Sequence, residues 1–478
     1  MSPAASYTDE HQRELDALLA TRAWQQVLRS GLVQEVSRTR LQPGTRPDFI
    51  DTVVEPLLQL NQPYVECMLR AGERDTTRLA DALGRWPESL DGWRPQLSFL
   101  GLNVTAACNC VPHCLYCNQQ AVPEGVGIEG WKEIIAEVTA VNQGSGPYMY
   151  ITGGEPLVLG EQLWGEEGLV AYATQRGAAV NINTNALELT PRVALRLVQS
   201  GLARLHISLD TADEELQNYL MAGDRQQAVL RGIANIQIAR DLLGVTYPEI
   251  HTNCVLTRHN WALFPDLFRF ILRLRRRSAD RRDPLYQDLF PHVIPVGGDS
   301  NAAMRPSATE FHRFYTEVWP EVCNLWDTYQ AELGLPPKER GVLFGYFSNP
   351  FLRVSHRGGL NAYVETSARG RYGALALARR CYVAPTQASF TPDGRQYRCG
   401  SHAIRRMHAI GQYGATGVYD SISAGLRQLT AYPDADDCYG CALATLYINQ
   451  AVEQRLEERA VALLAGEPQG HVSGSVPE

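Results

Sequence analysis

A cysteine-rich loop follows a short apolar segment of this chain, and its spacing predicts a metal centre. The loop has the pattern C-x3-C-x2-C, made by Cys110, Cys114 and Cys117. Pro112 prevents a regular helix here, and three thiolates on a four-iron cluster leave one iron open for a substrate or cosubstrate. Cys108 could supply a fourth ligand, although its extended segment favours packing. Zinc held by three cysteines and His113 is the alternative.

A glycine pair ends the next predicted strand, Tyr148 to Thr152. The turn after this strand consists of Gly153, Gly154, Glu155 and Pro156. Glycines at a strand end let a ligand approach the backbone closely, and exposed amides suit a carboxylate or another polar head group. The turn therefore predicts a site for a zwitterionic or charged ligand.

Together the two motifs resemble the radical S-adenosylmethionine (SAM) superfamily. An aromatic residue, Tyr116, precedes the last cysteine of the loop, and Gly-Gly-Glu-Pro follows about one βα unit later. The resemblance implies two cofactors, a 4Fe–4S cluster and SAM, with the open iron chelating the amino and carboxylate groups of SAM. It also places Tyr116 and the turn Gly153–Pro156 in the SAM site.

Strands and helices alternate from Pro95 to about Val296, which predicts a parallel sheet. The expected strands are Leu97–Val104, Tyr148–Thr152, Ala179–Thr184, Arg204–Leu209, Ile250–Leu256 and His292–Val296. The fold class is therefore α/β, a partial (β/α)6 TIM-like barrel with an N-terminal helical region and a small C-terminal Cys-rich α+β domain. Active groups of such a barrel lie at the C-terminal ends of its strands.

Polar residues do follow these strand ends. Asn183-Thr184-Asn185 ends the third strand, Ser208-Leu209-Asp210 ends the fourth, and Asn253 lies in the fifth. These three segments resemble the cyclic-pyranopterin-synthase branch of the superfamily, which implies SAM contacts for Asn185, Ser208 and Asn253. Ala186 stands where that branch has glycine, which puts the backbone geometry in question. The alternative is that these side chains only satisfy loop amides. Cys254 alternates with Asn253 and points away from it, so it is a poor radical hydrogen donor.

Four further cysteines lie near the C-terminus and predict a second metal site. They are Cys381, Cys399, Cys438 and Cys441. Pro392-Asp393-Gly394 marks a hairpin that ends just before Cys399, and spacing alone fits zinc or a four-iron cluster equally well. The pattern resembles the twitch domain, the shortened SPASM domain, which implies one auxiliary 4Fe–4S cluster.

The length of 478 residues argues for two or three domains. We predict an N-terminal helical region (1–95), the barrel (96–300), a helical linker covering the substrate (301–375), the auxiliary cluster domain (376–465) and a disordered tail (466–478). The N-terminal helices are expected to cover the barrel, with Cys67 in their core.

A polar turn after the sixth strand supplies the candidate substrate contacts. They are Asp299, Ser300, Asn301 and Arg305. An ordinary turn before a helix near Ser307 is the alternative. No residue is assigned as catalytic. The basic run Arg269–Arg282 is either a solvated helix face or a docking patch for flavodoxin or ferredoxin, the electron donors that such a cluster needs.

Composition excludes several classes. The net charge of −8 gives no support for nucleic-acid binding, and neither a signal peptide nor a membrane-spanning run is visible. We therefore expect a cytoplasmic protein without a membrane partner. Its eleven cysteines, clustered in a reducing compartment, indicate metal ligands.

The resemblance to aminocyclitol dehydrogenases with a barrel-plus-twitch plan favours oxidation or epimerisation of a small polar metabolite, such as a sugar or aminocyclitol natural-product intermediate. The alternative is a peptide-modifying maturase that makes a crosslink or oxidises a side chain. A non-enzymatic iron-sulfur electron carrier is a third hypothesis. The turn at Gly153–Pro156 argues against the carrier, which needs no SAM pocket.

Overall fold

The computed structural model describes residues 3–36, 49–119, 121–142, 146–275, 289–296, 299–332, 364, 368–369, 380–430 and 443–466. Its strands are β1 (Phe99–Asn103), β2 (Tyr148–Thr152), β3 (Ala179–Thr184), β4 (Arg204–Ser208), β5 (Glu249–Leu256), β6 (Phe290–Pro295), β7 (Gln387–Phe390), β8 (Arg395–Tyr397) and β9 (Ala409–Gln412). They form one sheet in the order β6-β5-β4-β3-β2-β1-β7-β8-β9.

All pairs from β6 to β7 are parallel, and only β7-β8 and β8-β9 are antiparallel. The six predicted barrel strands are confirmed with boundaries that differ by at most two residues. The hairpin around Pro392 to Gly394 is confirmed as well. It does not stand apart from the barrel, because Gln387 pairs with Phe99 and so extends the same sheet.

Helices precede the sheet and alternate with its strands. Five come first: α1 (Pro3–Leu19), α2 (Arg22–Arg29), α3 (Leu32–Val36), α4 (Phe49–Arg70) and α5 (Thr76–Leu83). Seven lie within the barrel: α6 (Gly127–Val141), α7 (Glu161–Trp164), α8 (Leu169–Gln175), α9 (Pro191–Gln199), α10 (Glu214–Leu220), α11 (Gln226–Leu243) and α12 (Phe264–Leu274). Later ones are α13 (Ala308–Arg313), α14 (Trp319–Glu332), α15 (Gly400–Arg405), α16 (Val418–Ala424), α17 (Leu426–Thr430) and α18 (Leu443–Ala465).

Local capping explains where several helices begin. The Asp75 carboxylate accepts from the Thr77 amide at 2.9 Å before α5, and the Asp213 carboxylate accepts from Leu216 before α10. A capping box of Ser307 and Glu310 starts α13, which confirms the predicted helix near Ser307. At the other end of α11, Gly244 adopts a φ of 63°, the left-handed conformation that glycine tolerates best.

The two faces of the sheet differ in chemistry. Leu100, Met149, Ile182, Leu205 and Ile250 point to one side, where each is fully buried. Alternate residues point to the other side, which we call the polar face. The polar face includes Tyr150, Asn183, His206, His251, Asn253 and Ser389. Because side chains alternate along a strand, the apolar side forms the core and leaves the polar face for binding.

The described N-terminal helices pack against other helices, two of them in the barrel. Helix α1 packs on α11 and α12, and the Trp24 indole of α2 donates to Asn235 of α11 at 2.8 Å. Helices α4 and α5 pack against α18. The prediction that Cys67 lies in this core is wrong, since Cys67 is exposed and its sulfur accepts from Arg70.

The basic run is not a uniform solvated face. Arg275 is 1% exposed and lies 5.1 Å from the centre of the Trp326 ring. Arg269 forms ion pairs with Asp266 and Glu321. Residues 276–282 lie outside the described residues. Arg273, in contrast, is exposed and lies 5.7 Å from the centre of the Phe270 ring, so the described part of the run combines a buried, a paired and an exposed arginine.

Candidate active site

The three loop cysteines lie just beyond the C-terminal end of β1. The Cys110 amide donates to the Cys108 sulfur at 3.4 Å, and interaction with the Cys110 thiol lowers the pKa of Cys114. The Cys108 thiol lowers the pKa of Cys110, but donation to Cys114 and burial together raise it to about 11. Burial raises the pKa of Cys117. The loop therefore brings several sulfurs together at a half-buried strand end.

The geometry of these donors bears on which metal they would hold. Within the described residues, no three histidine, cysteine, aspartate or glutamate side chains are grouped to hold a metal ion. His113 is exposed, so a single zinc ion coordinated by His113 and the three loop cysteines is not supported. A four-iron cluster binds each cysteine through a different iron, so its ligands need not meet. The thiolate set fits such a cluster, and its ligation by Cys110, Cys114 and Cys117 stays a prediction.

Neighbouring connections hold the loop in place. The Leu115 amide donates to the Leu220 carbonyl at 2.9 Å. The Arg225 guanidinium donates to the Pro112 carbonyl at 3.0 Å, and the Asn301 amide side chain donates to the Tyr116 carbonyl at 2.9 Å. The loop is thus fixed by the segments that follow β4 and β6.

The glycine turn is built against the start of the cysteine loop. A Cβ on Gly153 would lie 2.3 Å from the Thr105 carbonyl oxygen, and one on Gly154 would lie 2.1 Å from that of Ala107. The amides of Gly154 and Glu155 donate to these same two carbonyls, each at 2.8 Å. The glycines therefore allow two backbones to meet, and these two amides bond within the chain rather than facing a ligand.

Glu155 is a buried organiser of this corner. Its carboxylate accepts from the Thr184 hydroxyl at 2.7 Å, the Asn185 amide at 2.7 Å and the Leu157 amide at 3.0 Å. The side chain is 1% exposed, and burial raises its pKa to about 7 despite these hydrogen bonds. The carboxylate therefore joins the ends of β2 and β3, and a SAM contact by this turn stays a prediction.

Asn185 lies beside the cysteine loop. Its side-chain nitrogen donates to Asn109 at 2.7 Å and lies 3.2 Å from the Cys110 sulfur. Ala186, which stands where glycine was expected, adopts a φ of 62° and so keeps the left-handed conformation. The substitution of alanine for glycine therefore leaves the course of the turn unchanged.

The other predicted SAM contacts lie on or near the polar face. Ser208 pairs with Asn253 across β4 and β5. The Asn253 side chain donates to Asn183 at 2.8 Å and contacts His206 at 3.4 Å. Cys254 points away as predicted, because its sulfur contacts the Asp210 carbonyl.

Tyr116 is tied to the end of β4. Its hydroxyl donates to the Asp210 carboxylate at 2.5 Å, and the second oxygen of that carboxylate accepts from the Val255 amide. Burial raises the pKa of Asp210 to about 6 and that of Tyr116 well above its usual value. Tyr116 thus anchors the cysteine loop, whereas its contact with SAM stays a prediction.

Most of the polar face was not predicted from the sequence. The Tyr150 ring lies 5.6 Å from that of His206, which in turn lies 5.1 Å from that of His251. His251 also contacts Glu249, the ion-pair partner of Arg204. The signal that could have found this network is the alternation of polar and apolar residues, which is complete in β4 and partial in β3 and at the start of β5.

The four candidate substrate residues differ in their contacts. Asn301 is buried and bonds to the cysteine loop, so it has a structural contact that the prediction lacked. Arg305 donates to the carbonyls of Val296 and Ala368. Asp299 and Ser300 begin a short helical turn, Asp299–Met304, and the positions of their side chains lie outside the described part of the chain. A substrate role for all four stays a prediction.

The second cysteine group is only partly described. Cys381 is buried, and its sulfur lies 3.9 Å from the Asn449 side chain. Cys399 precedes α15, and burial raises its pKa, with Cys381 near enough to contribute. Cys438 and Cys441 lie outside the described residues. The four-cysteine auxiliary site stays a prediction.

Comparison with known proteins identifies the central domain. Residues 103–271 match the model of the radical SAM superfamily. They begin at the last residue of β1 and include the cysteine loop, the glycine turn and strands β2 to β5. The chain therefore contains a radical SAM domain, as its two motifs predicted, and the cofactors of that superfamily are a 4Fe–4S cluster and SAM.

Several relatives share about half of their length with this chain. The mycofactocin maturase MftC of Mycolicibacterium smegmatis is 31% identical over 197 residues, which are 39% of this chain and 47% of the relative. The AdoMet-dependent heme synthase of Nitratidesulfovibrio vulgaris is 28% identical over 191 residues, 39% of this chain and 48% of that protein. Among solved structures, native anSMEcpe with bound AdoMet and Cp18Cys peptide has a TM-score of 0.49 at 13% identity, covering 78% of this chain and 100% of that one.

No helix among the described residues is both long and apolar enough to cross a membrane.

Proposed function

We propose that this protein is a SAM-dependent radical enzyme that abstracts hydrogen from a peptide substrate. The observation that carries the proposal is the similarity of 197 residues to mycofactocin maturases, at 31% identity for the M. smegmatis protein. This favours the peptide-modifying alternative over the small-metabolite reaction that the sequence analysis ranked first. Oxidoreductase or epimerase chemistry becomes the second candidate.

The chain itself would bind and orient the reactants. Cys110, Cys114 and Cys117 would hold the cluster, which when bound supplies the electron that cleaves SAM to methionine and a 5′-deoxyadenosyl radical. Ser208 and Asn253, paired across β4 and β5, would contact SAM. The rest of the polar face lies on the same side of these strands and would bind the substrate close to the site of hydrogen abstraction.

The polar face also supports the second candidate, a small polar metabolite such as a sugar or aminocyclitol. Asn183, His206, His251 and Asn253 are linked by ring contacts and hydrogen bonds. Such convergent donors and acceptors suit a substrate rich in hydroxyl or amine groups.

The remaining cysteines suggest how electrons leave the substrate. Cys381, Cys399, Cys438 and Cys441 would hold one auxiliary 4Fe–4S cluster that accepts the electron left after hydrogen abstraction. A flavodoxin or ferredoxin would reduce the first cluster. Among the described arginines of the basic run, Arg269 is paired and Arg275 is buried, so the exposed Arg273 would contact that donor.

Anaerobic turnover with two substrate pools tests the proposal. One pool holds short precursor peptides, the other holds sugars and aminocyclitols, and mass spectrometry follows deoxyadenosine and each pool. We expect deoxyadenosine to rise with peptides, together with a peptide that has lost hydrogen. A rise with the metabolite pool alone would establish the second candidate. Absence of deoxyadenosine in every pool, despite a reducible cluster, would favour the electron carrier.

A further inference from the structure

A buried arginine outside the predicted site contacts the cysteine loop. Arg225 lies between α10 and α11 and is 8% exposed. Its guanidinium donates to the Pro112 carbonyl, inside the C-x3-C segment, at 3.0 Å and also to the Met221 carbonyl. A Cβ on Gly223 would lie 2.9 Å from the Arg225 Nε, so a glycine at position 223 leaves room for the guanidinium of Arg225.

The charge of Arg225 has no carboxylate partner among the described residues. Both of its hydrogen-bond acceptors are neutral carbonyls. Asp210, the buried carboxylate that follows β4, accepts hydrogen bonds from Tyr116 and Val255 instead. A guanidinium stays charged in proteins, and burying a charge without a counter-charge is costly. Pro112 lies between Cys110 and Cys114 in the chain, so this contact brings the fixed charge to the segment that joins two of the predicted cluster ligands.

We propose that Arg225 is a positioning residue that holds the cysteine loop against α11 and raises the reduction potential of the cluster bound there. Adding one electron makes the cluster more negative, so a fixed positive charge beside it stabilises the reduced form. The proposal rests on the radical SAM assignment and adds a residue that neither of the two motifs contains.

Charge and position are separated by two substitutions. Arg225→Gln removes the charge and Arg225→Lys keeps it. Arg231→Gln removes a charge from an exposed position in α11, which begins directly after Arg225, and serves as the matched control. Full-length proteins are reconstituted anaerobically and titrated with dithionite against redox mediators. The reduced cluster is followed by its electron paramagnetic resonance signal, and the part that changes on SAM addition identifies the first cluster.

We expect Arg225→Gln to need a more negative potential, with the reduced-to-oxidised ratio lowered about tenfold at the wild-type midpoint. Arg225→Lys and Arg231→Gln should stay near the wild type. If Arg225→Gln binds no iron while Arg225→Lys keeps the wild-type potential, the charge is still required and the proposal stands. A wild-type potential in Arg225→Gln, or loss of iron in both variants, overturns it. Failure of the wild type to bind iron or cleave SAM would instead reject the radical SAM function.

Discussion

The first cysteine loop and Cys381 lie beside neighbouring strands of one sheet but are held in different ways. Side chains from three separate connections, Asn185, Arg225 and Asn301, contact the loop after β1. Cys381 is held instead through the Thr430 carbonyl and the Asn449 side chain. The first loop is thus positioned by the barrel itself, whereas Cys381 depends on helices that follow it in the chain.

This difference separates two kinds of failure. Damage to the first loop should stop chemistry without unfolding the barrel, because the strands beneath it have their own apolar core. Damage to the second group should affect the local fold as well as electron transfer, since metal-binding free energy contributes to folding in small loop-rich units.

The largest effect is expected from removing the first group. Wild-type protein should carry about eight irons after anaerobic reconstitution, from two four-iron clusters. Replacing Cys110, Cys114 and Cys117 together with alanine should leave about four irons and abolish deoxyadenosine formation, as measured by iron and sulfide analysis and mass spectrometry. Tightly bound zinc without labile sulfide would contradict the cluster assignment.

Replacing Cys399 with alanine should have a smaller and more selective effect. If the auxiliary cluster accepts the substrate electron, the folded variant should still cleave SAM while oxidised product falls towards zero. Deuterium from labelled substrate would still appear in deoxyadenosine. Equal loss of deoxyadenosine and product in a folded variant would count against the acceptor role, and Cys67→Ala, at an exposed cysteine, is the control.

The barrel strands could be predicted from the sequence because each is a short apolar or alternating segment in a chain where such segments are separated by amphipathic helical stretches. It could not predict that Gln387 pairs with Phe99, since nothing local specifies a partner almost three hundred residues away. The hairpin could be predicted because Pro392-Asp393-Gly394 acts within a few residues.

The site was predicted where motifs are local and missed where contacts are distant. Cys110 and Gly154 belong to short patterns, whereas Arg225 lies in no motif and only the fold brings it to Pro112. Cys67 lies in an apolar helical pattern but is exposed, because the neighbours that bury one side of a helix are not encoded in its own periodicity.

A pH-dependent effect is expected at Glu155, which belongs to the barrel corner itself. Burial raises its pKa from 4.5 to about 7, so the folded state keeps a proton that the unfolded state has lost. The stability that protonated Glu155 contributes is therefore fully present below pH 4.5 and is lost as the pH rises through about 7. Glu155→Gln removes this titration, so the wild type should lose up to about 3 kcal/mol relative to the variant between about pH 5 and 8.

Denaturant unfolding at several pH values measures this difference. Glu167→Gln, at an exposed glutamate, is the control and should show the pH dependence of the wild type. Parallel curves for the wild type and Glu155→Gln would show that the buried carboxyl does not titrate in this range.

The smallest effect is expected at Ala186, where the corner tolerates a residue other than glycine. Its φ of 62° costs alanine roughly 1 kcal/mol, which Ala186→Gly would recover. Glycine would also gain freedom in the unfolded chain and lose a buried methyl group, each worth roughly 0.4–1 kcal/mol in the opposite direction. The free energy of unfolding should therefore change by less than about 1 kcal/mol, and SAM cleavage should change by less than about twofold.

Gly232→Ala tests the same contact from α11, because its Cβ would lie 3.0 Å from the Ala186 carbonyl oxygen and 3.1 Å from the Ala186 Cβ. That variant should be destabilised by about 1–3 kcal/mol through overpacking. A tenfold loss of SAM cleavage in Ala186→Gly would show instead that the methyl group itself positions Asn185.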